Sequence, residues 1–302
     1  MPDLAFGTEP QVLALHRQSI GHALRSLCDR YVSPSLGTVG DAICYSLLGE
    51  GKRLRGILFL SAYEAAGGMI DASPLAAAIE VVHAYSLVHD DLPCMDDDDV
   101  RRGRPTVHRV HGVAAATAAG LAMVPLAARS AADAARDLGL GPAEVGHIVA
   151  ELMRASGAGG MVGGQLLDLD GEGRPLALAE LERIHRAKTG ALIAAASILG
   201  GLAASADLLR VDALAHYGAA VGLAFQIADD VLDVTSTTDQ LGKTAGRDLA
   251  LRKSTYPALL GVEGAKHRAA ALIDEGCAAL DLVGLLTPSL AHLARFSVER
   301  TS

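Results

Sequence analysis

The stretch SLVHDDLPCMDDDDVRRGRPT, residues 86–106, carries the strongest structural and chemical signal in the chain. An apolar helical run enters a cluster of aspartates, and a group of arginines follows at once: Asp90, Asp91, Asp96, Asp97, Asp98 and Asp99, then Arg101, Arg102 and Arg104. Carboxylates this dense repel one another unless cations lie among them, and Mg²⁺ takes one or two carboxylates together with water and substrate phosphates. Guanidinium groups match phosphate oxygens in geometry and charge. The stretch therefore predicts a metal and phosphate site at the end of a helix.

The acidic run also has simpler interpretations. Acidic runs are most often solvated loops. A calcium loop of the EF-hand type needs glycine at its sixth position, and counting from Asp96 that position is Arg101. The calcium loop is therefore excluded, and the solvated loop stays open as the alternative to a metal site.

A second acidic cluster weakens the solvated-loop interpretation. In FQIADDVLD, residues 225–233, another apolar run ends in aspartates. Asp229 and Asp233 are four residues apart, so we expect them to share one helix face and one ion. Asp230 lies off that face and is expected to support them from behind. Gln226, three residues before Asp229, is predicted to point into the same cavity, although a buried structural amide is an equal alternative.

Composition predicts an all-α protein. Half of the 302 residues are hydrophobic, 3% are aromatic and tryptophan is absent, whereas strands are rich in β-branched and aromatic residues. The net charge of −9 argues against a nucleic-acid partner. The four cysteines lack CxxC spacing, and the first residues, MPDLAFGTEP, lack the basic and apolar regions of a signal peptide. We therefore expect a cytoplasmic protein.

Hydrophobic periodicity, interrupted by glycine and proline, divides the chain into helices of one domain, residues 1–302. The apolar stretches 112–128 and 191–206 are short and rich in Ala and Gly, so we expect bundle helices and no stable membrane insertion. No alternating stretch predicts a strand. The predicted helices are 9–31, about 41–49, 54–66, 75–89, 106–137, 142–156, 161–169, 178–200, 207–234, 255–260, 264–283 and 289–300.

The helix that ends in the first aspartates has predicted start and stop signals. Ser73 and Pro74 form a cap and first-turn pair. Pro93 cannot donate the hydrogen bond of a helix interior, so the helix is expected to end or kink there. Asp90 and Asp96 are six residues apart and would not share a face of a straight helix. A helix that ends before Pro93 lets both approach one ion.

Basic residues near both acidic clusters predict a second phosphate subsite. They are Lys52, Arg53 and Arg55 of GKRLR, Arg101 and Arg102, Lys188 of AKTG, and Lys243 and Lys253. GKRLR opens a helix, where the backbone amides and the helix dipole attract anions. Each residue alone is a typical surface cation. Together they suggest two diphosphates, one held through metal ions and one held directly by lysine and arginine.

These motifs, in this order, resemble those of a known enzyme family. DDLPCMDDDDVRRGRPT, GKRLR, HAYSLVHDD, GGQLLDL, AKTG, FQIADDVLD, LGKTAGRD and KSTYPALLG are similar to motifs of the trans-isoprenyl diphosphate synthases, most closely the bacterial farnesyl diphosphate synthases. The resemblance covers roughly residues 41–260. It implies an all-helical bundle around a deep central cavity, the isoprenoid synthase fold, and a homodimer with three Mg²⁺ ions per site, or Mn²⁺ in their place.

The resemblance also implies roles for individual residues. Metal ions would be ligated by Asp90, Asp96 and Asp229, supported by Asp91, Asp230 and Asp233. The allylic diphosphate would also contact Arg101, Lys188 and Lys243. Isopentenyl diphosphate would be held by Lys52, Arg55, His83 and Arg102, and Lys253 would close the site. Lys188, Thr189 and Gln226 form the expected catalytic group, with the Thr189 carbonyl and Gln226 placing dipoles near an allylic cation.

The implied reaction is the head-to-tail condensation of isopentenyl diphosphate with dimethylallyl and geranyl diphosphates to give farnesyl diphosphate. No side chain need be a nucleophile, because metals and cations stabilise the departing diphosphate. Tyr85 precedes Asp90 by about 7.5 Å along the helix at about 1.5 Å per residue. Tyr85, with Ser86 beside it, is expected to form the cavity floor that limits the product to fifteen carbons. The alternative for Tyr85 is an ordinary core position.

Other functions stay open at this point. A geranylgeranyl or longer-chain polyprenyl diphosphate synthase differs only in product length. A non-catalytic prenyl synthase subunit commonly lacks one acidic motif, whereas both are intact here. A class I terpene cyclase generally has an Asn/Ser/Glu-type second motif and binds one diphosphate, so it has no need of GKRLR.

Overall fold

The fold is described from a computed structural model, which defines residues 9–235 and 254–299. Within these residues the all-α prediction is confirmed, apart from one small hairpin. In chain order the elements are α1 (Glu9–Tyr31), a 3₁₀ turn (Pro34–Leu36), α2 (Thr38–Leu47), α3 (Leu54–Ala65), α4 (Ser73–Asp90), β1 (Val100–Arg101), β2 (Arg104–Pro105), α5 (Val107–His111), α6 (Val113–Asp137), α7 (Pro142–Ser156), α8 (Met161–Gly171), α9 (Leu178–His185), a π-helical turn (Arg186–Gly190), α10 (Ala191–Ala203), α11 (Leu208–Thr235), α12 (Tyr256–Asp281) and α13 (Pro288–Glu299).

Helix α4 lies at the centre of the bundle because it is apolar on almost every side. It packs against α1, α3 and α6, and nearly all of its residues from Leu75 to Tyr85 are buried. Burying a Leu, Ile or Val side chain stabilises a fold by roughly 1.5–3 kcal/mol. The packing of α4 therefore fixes the position of its last residue, Asp90.

Small residues allow the other inner helices to approach closely. Helix α10 packs against α3, α7 and α11, and α11 lies alongside α12. A Cβ atom on Gly200 of α10 would come within 2.8 Å of the Phe59 carbonyl oxygen of α3. The backbones of α3 and α10 therefore cross almost in contact, and only glycine fits at this crossing.

Two of the predicted helices are interrupted where the sequence pattern predicts continuity, for identifiable reasons. The predicted helix 106–137 is divided into α5 and α6 at Gly112, whose φ of 85° lies in the left-handed region. The break predicted between helices 255–260 and 264–283 is confirmed, because α12 is kinked at Gly261, whose backbone is non-helical. The predicted helix 178–200 is interrupted by the π-helical turn Arg186–Gly190. Periodicity alone does not reveal an interruption of one turn or less.

The predicted cap of α4 is also wrong in detail. Ser73 is the first residue of α4 and makes no side-chain cap, and the N-cap position is Ala72. The Asp71 carboxylate accepts the Ser73 N–H at 2.9 Å instead. Pro74 does lie in the first turn, as predicted.

The expectation that no strand forms fails at one place. Val100–Arg101 and Arg104–Pro105 pair as a two-residue antiparallel hairpin. Its two central residues, Arg102 and Gly103, have φ values of 53° and 73°, and positive φ at both central residues is the feature of the tight turns that join antiparallel strands. A ladder of two residues is too short to give an alternating pattern in the sequence.

Two of the described helices are long and apolar enough to span a membrane by length and composition alone, Val113–Asp137 and Leu208–Thr235. In this fold the first packs against α4 and the second against α10 and α12. The stretch 112–128 falls mainly in α6 and the stretch 191–206 mainly in α10, so both form bundle helices as predicted.

Candidate active site

The first aspartate-rich segment folds back over the end of α4. Helix α4 ends at Asp90, before Pro93. The Asp96 N–H donates to the Asp90 carbonyl oxygen at 2.8 Å, and the Asp97 N–H donates to the Leu92 carbonyl oxygen at 3.1 Å. Asp97 has a φ of 52°, a left-handed conformation that aspartate tolerates better than most residues. The fold thus brings the backbones of Asp90 and Asp96 together, as a helix ending before Pro93 predicts.

The Asp90 carboxylate lies in a crowded, poorly solvated position. The pKa of Asp90 is raised to about 6, with burial as the largest cause; the carboxylates of Asp96 and Asp91 add to the rise, while Lys188 and Arg101 oppose it. Burial also raises the pKa of Asp91, against the lowering effect of its bond with Arg101. The end of α4 therefore holds negative charge at a cost that a bound cation would remove.

The oxygen donors of this segment fit Mg²⁺. Mg²⁺ prefers hard oxygen ligands and is commonly held by one or two carboxylates, with the other positions filled by water and substrate phosphates. Across 9–235 and 254–299, no group of three His, Cys, Asp or Glu side chains forms a complete metal site. An open site that shares its ion with phosphate needs no such group.

The second acidic cluster lies near the end of α11. Asp229 is half-buried, whereas Asp230 and Asp233 are buried. The Asp230 carboxylate accepts from Gln226 Nε2 at 3.2 Å through one oxygen and from the Tyr256 N–H at 3.0 Å through the other. Both carboxylate oxygens of Asp230 therefore accept hydrogen bonds from the protein.

The π-helical turn connects the two acidic clusters. Lys188 Nζ lies 2.6 Å from Asp168 Oδ2 on α8, and its charge lowers the pKa of Asp90 on α4. The next residue, Thr189, donates its hydroxyl to Gln226 Oε1 on α11 at 2.9 Å. One turn therefore reaches the first cluster through Lys188 and the second cluster through Thr189, which places both clusters around one site.

Helix α8 approaches this turn without any intervening side chain. A Cβ atom on Gly164 would lie 2.2 Å from the backbone nitrogen of Lys188 and 2.6 Å from the carbonyl carbon of Ala187. Gly164 belongs to the GGQLLDL motif, and so do Gln165 and Asp168. Glycine at position 164 is therefore what allows α8 to pack directly on the backbone that carries Lys188 and Thr189.

The basic side of the site is built on α3 and α4. The pKa of Arg55 is lowered to about 10, mainly by burial; the charge of Arg102 contributes to the lowering, while Glu80 and Asp229 oppose it. Burial and the charges of the surrounding arginines hold the pKa of His83 well below its usual value, so His83 is neutral. The influence of Asp229 on Arg55 shows that the basic group adjoins the second acidic cluster.

Glu80 is the buried counter-charge of these arginines, and the sequence analysis gave it no role. Glu80 is 2% exposed, accepts the Gly56 N–H at 2.9 Å and lies 3.9 Å from Arg53 Nη1. Arg53 also donates to the Leu47 carbonyl oxygen at 2.8 Å. Its guanidinium is therefore used within the protein, and Arg53 is not available as the phosphate ligand that GKRLR suggested. The available sequence signal was a lone acidic residue in an apolar helical run.

Arg101 and Arg102 take different positions at the hairpin. Arg101 forms two contacts with Asp91 Oδ1, from Nε at 2.7 Å and from Nη2 at 2.6 Å. Burial alone would lower the pKa of Arg101, but the bond and charge of Asp91 raise it overall. Arg102 is exposed and donates to the Glu50 carbonyl oxygen at 3.2 Å. Arg101 therefore orders the first acidic cluster, while Arg102 borders the GKRLR loop.

The remaining predicted residues have varied environments. Lys52 is exposed and His83 is half-buried. Tyr85 is 5% exposed and its hydroxyl donates to the Ser156 carbonyl oxygen at 3.0 Å. Ser86 donates to the His83 carbonyl oxygen at 2.9 Å. Lys243 and Lys253 lie outside the described residues.

Several buried polar atoms of this region have no hydrogen-bond partner within the described part of the chain. They are Arg55 Nε, His83 Nδ1 and both polar atoms of the Gln165 side chain. A buried polar group without a partner costs roughly 1–3 kcal/mol, so such groups concentrate where a ligand completes the bonding. GGQLLDL was part of the sequence signal, but neither Gln165 nor Asp168 was assigned a role from it.

A carboxylate-rich segment beside a buried basic group is the arrangement expected of an enzyme that acts on diphosphates. Residues 38–278 match the polyprenyl synthetase family, and the chain belongs to that family. The farnesyl diphosphate synthase of Escherichia coli is 46% identical over 269 residues, which cover 87% of this chain and 89% of that enzyme. The chloroplastic geranylfarnesyl diphosphate synthase of Leucosceptrum canum is 45% identical over 241 residues, which cover 78% of this chain and 66% of that enzyme.

Solved structures agree with this assignment. The apo crystal structure of an FPP/GFPP synthase from Zymomonas mobilis superposes with a TM-score of 0.83 at 31% identity, covering 96% of this chain and 100% of that one. The isoprenoid synthase fold and the prenyltransferase class are therefore confirmed.

Proposed function

We propose that this prenyltransferase makes farnesyl diphosphate, by condensing isopentenyl diphosphate first with dimethylallyl diphosphate and then with geranyl diphosphate. The observation that carries the proposal is the presence of two adjoining but chemically distinct subsites. One is the acidic group around Asp90 and Asp229, and the other is the basic group around Arg55 and His83. Two subsites of opposite charge fit two diphosphates that are held in different ways.

The acidic group is the proposed metal subsite, with Mg²⁺ as the metal, three ions per site and Mn²⁺ as the alternative. The proposed ligands are Asp90, Asp91, Asp96, Asp229 and Asp233. When bound, the ions supply positive charge to the oxygen of the departing diphosphate. The raised pKa of Asp90 supports this placement, because a cation relieves the carboxylate crowding that raises it.

The proposed allylic diphosphate contacts are Arg101, Lys188 and Lys243. Lys188 is positioned for this role because it is paired with Asp168 at 2.6 Å and its charge also acts on Asp90. Positive charge held at the departing diphosphate favours ionisation in the transition state more than in the ground state. The diphosphate released in this way is also the proposed base for the last proton.

The proposed contacts of isopentenyl diphosphate are Lys52, Arg55, His83 and Arg102, and Lys253 is the proposed closing residue. Arg55 Nε and His83 Nδ1 are buried without a partner in the described residues, so a bound diphosphate would give them one. Because its pKa is low, His83 acts as a neutral hydrogen-bonding group. Thr189 and Gln226 then place oxygen atoms near the allylic cation that the double bond attacks.

Product length is proposed to depend on Tyr85, with Ser86 beside it. Tyr85 is on the same helix as Asp90, five residues earlier, and its hydroxyl is anchored to α7 through the Ser156 carbonyl oxygen. A side chain fixed at both ends can act as a rigid floor for the growing chain. The alternative product is geranylgeranyl diphosphate or a longer chain. The similarity to the geranylfarnesyl diphosphate synthase of Leucosceptrum canum supports this alternative.

We also propose a homodimer in the cytoplasm. On α5 and α6 the apolar side chains of Val110, Val113 and Leu121 are 47%, 47% and 63% exposed. Burial of such side chains favours association. The four cysteines are free, which supports a reducing compartment. Light scattering of the purified protein measures the mass, and a monomer at micromolar concentration would contradict the dimer.

The decisive experiment incubates the purified protein with Mg²⁺, isopentenyl diphosphate and each allylic diphosphate, and sizes the dephosphorylated products by mass spectrometry. Fifteen-carbon product from both dimethylallyl and geranyl diphosphate is the expected result. A product of twenty or more carbons would replace the proposal by the longer-chain alternative. Diphosphate release without elongation would indicate a cyclase, and binding without turnover would indicate a non-catalytic subunit.

A further inference from the structure

Three consecutive hydrogen bonds join α12, α11 and the π-helical turn. The Tyr256 N–H donates to Asp230 Oδ2 at 3.0 Å. Asp230 Oδ1 accepts from Gln226 Nε2 at 3.2 Å. Gln226 Oε1 in turn accepts from the Thr189 hydroxyl at 2.9 Å. We call these three bonds the Asp230 relay. The relay runs from the Tyr256 N–H through the buried Asp230 carboxylate to the half-buried side chains of Gln226 and Thr189, beside the proposed reaction site.

The direction of every bond in the Asp230 relay is the one that an ionised Asp230 carboxylate requires. An ionised carboxylate only accepts hydrogen bonds, and a backbone N–H only donates them. The Gln226 amide must therefore turn its nitrogen to Asp230, which leaves its oxygen facing Thr189. Because that oxygen only accepts, the Thr189 hydroxyl has to donate.

These bond directions decide which atoms of Gln226 and Thr189 remain available to a substrate. The hydroxyl proton of Thr189 is committed to Gln226, so the Thr189 oxygen keeps its lone pairs. Gln226 Oε1 also keeps one, since a carbonyl oxygen has two. Only the negative ends of these two dipoles are then available to stabilise positive charge.

We propose that Asp230 is a positioning residue, which fixes the polarity of Gln226 and Thr189 so that both present oxygen to the allylic cation. The inference rests on the proposed condensation and adds to it the reason why a buried carboxylate lies behind these two residues. Asp230 acts through Gln226 and is assigned no contact with substrate. Oriented dipoles that need no rearrangement during the reaction are among the largest contributions to enzymatic rate.

The substitution Asp230→Asn tests this polarity because it nearly preserves shape. The Tyr256 N–H still needs an acceptor, so the new amide must give it the oxygen and turn its nitrogen to Gln226. Gln226 then reverses and presents its own nitrogen to Thr189. The Thr189 hydroxyl is forced to accept, and its proton points away from Gln226. The relay is inverted, and a positive dipole end replaces a negative one.

The measured quantity is the cost in kcat of Thr189→Val, determined in three backgrounds: wild type, Asp230→Glu and Asp230→Asn. In wild type and in Asp230→Glu the carboxylate keeps the polarity, so removal of the hydroxyl should lower kcat by about 10²-fold, the effect of losing one oriented group. In Asp230→Asn the hydroxyl no longer helps, so its removal should cost less than about 3-fold. Such non-additivity is the signature of residues that act as one unit.

A second readout separates positioning from metal binding. Asp230→Asn should lower kcat by about 10²-fold, while KM for both diphosphates and the Mg²⁺ concentration for half-maximal rate change less than about 3-fold. A strongly raised Mg²⁺ requirement would overturn the proposal, because it would make Asp230 a ligand. Thr235→Val is the matched control for loss of a threonine hydroxyl, since Thr235 is exposed and, among residues 9–235 and 254–299, its hydroxyl bonds only the Val231 carbonyl oxygen.

The experiment also covers two other outcomes. If Asp230→Asn does not fold, Gln226→Met interrupts the same relay, and the cost of Thr189→Val should disappear in that background. An equal cost of Thr189→Val in every background, in an enzyme that condenses its substrates, overturns the relay alone. Absence of condensation by the wild-type protein overturns the proposed function itself.

Discussion

Replacement of Gly164 by alanine gives a direct measure of how tightly the π-helical turn must be held. The new Cβ would lie 2.2 Å from the Lys188 nitrogen and 2.6 Å from Lys188 Cα. Both are backbone atoms, so no side-chain rotation relieves the overlap. The turn must move by about 1 Å to approach the 3.4 Å of ordinary contact. Lys188 and Thr189 move with it.

A displacement of about 1 Å at a catalytic group commonly costs about 10²-fold in rate, and that is the expected loss of kcat. Overpacking should also cost about 1–3 kcal/mol of stability, which lowers Tm by about 2–4 °C per kcal/mol. Mass spectrometry of product formed over time gives kcat, and differential scanning calorimetry gives Tm. Gly159→Ala is the matched control, because within the described part of the chain no atom beyond its two chain neighbours lies within 4 Å of its Cβ position. Wild-type kcat and Tm for Gly164→Ala would refute the argument.

Three further predictions concern α4. Tyr85→Ala should yield products longer than fifteen carbons and cost about 3–5 kcal/mol of stability. Tyr85→Phe loses only the bond to Ser156 and should keep the fifteen-carbon product. Unchanged product size in Tyr85→Ala would exclude Tyr85 as the floor of the cavity. Because burial raises the pKa of Asp90 from 3.8 to about 6, the folded protein without metal binds this proton more tightly than the unfolded chain, so stability is lost as pH rises through this interval. A shift of about two pKa units is worth about 3 kcal/mol, so Asp90→Asn should raise Tm in EDTA by about 6–12 °C near pH 7.5 and have little effect near pH 3.5. An equal shift at both pH values would contradict this. Glu80→Gln keeps an acceptor for the Gly56 N–H but removes the counter-charge of the arginines, so it should cost roughly 3 kcal/mol or more of stability. Added inorganic diphosphate should restore part of the lost Tm. A wild-type Tm for Glu80→Gln in the absence of diphosphate would contradict this prediction.

The sequence was most informative where one residue decides the local structure. Pro142 at the start of α7 and the apolar run up to Asp90 gave helices close to those observed. The turn after Pro93 was foreseen because proline excludes a continued helix and because the two aspartates needed a way to approach one ion. These features depend on neighbours in the chain, which a sequence displays directly.

The sequence was least informative where a distant neighbour decides. The π-helical turn has no local marker, since residues 178–200 keep an apolar helical pattern throughout, and the close contact with Gly164 becomes evident only in three dimensions. Glu80 resembles an isolated charge in an apolar helix until Arg53 and the Gly56 N–H are seen around it. Arg53 was grouped with the phosphate ligands because its motif is basic, and only its bonds within the protein separate it from Arg55.

The π-helical turn Arg186–Gly190 has a consequence for how the enzyme can vary. Lys188 and Thr189 are consecutive, yet one faces α4 and α8 and the other faces α11. In the proposed reaction Lys188 contacts the departing diphosphate and Thr189 faces the cation that remains, and both lie on one short segment. Because one segment carries both side chains, any change that shifts this segment alters the contact with the diphosphate and the contact with the carbocation together. Natural sequence variation is therefore expected to change both contacts or neither.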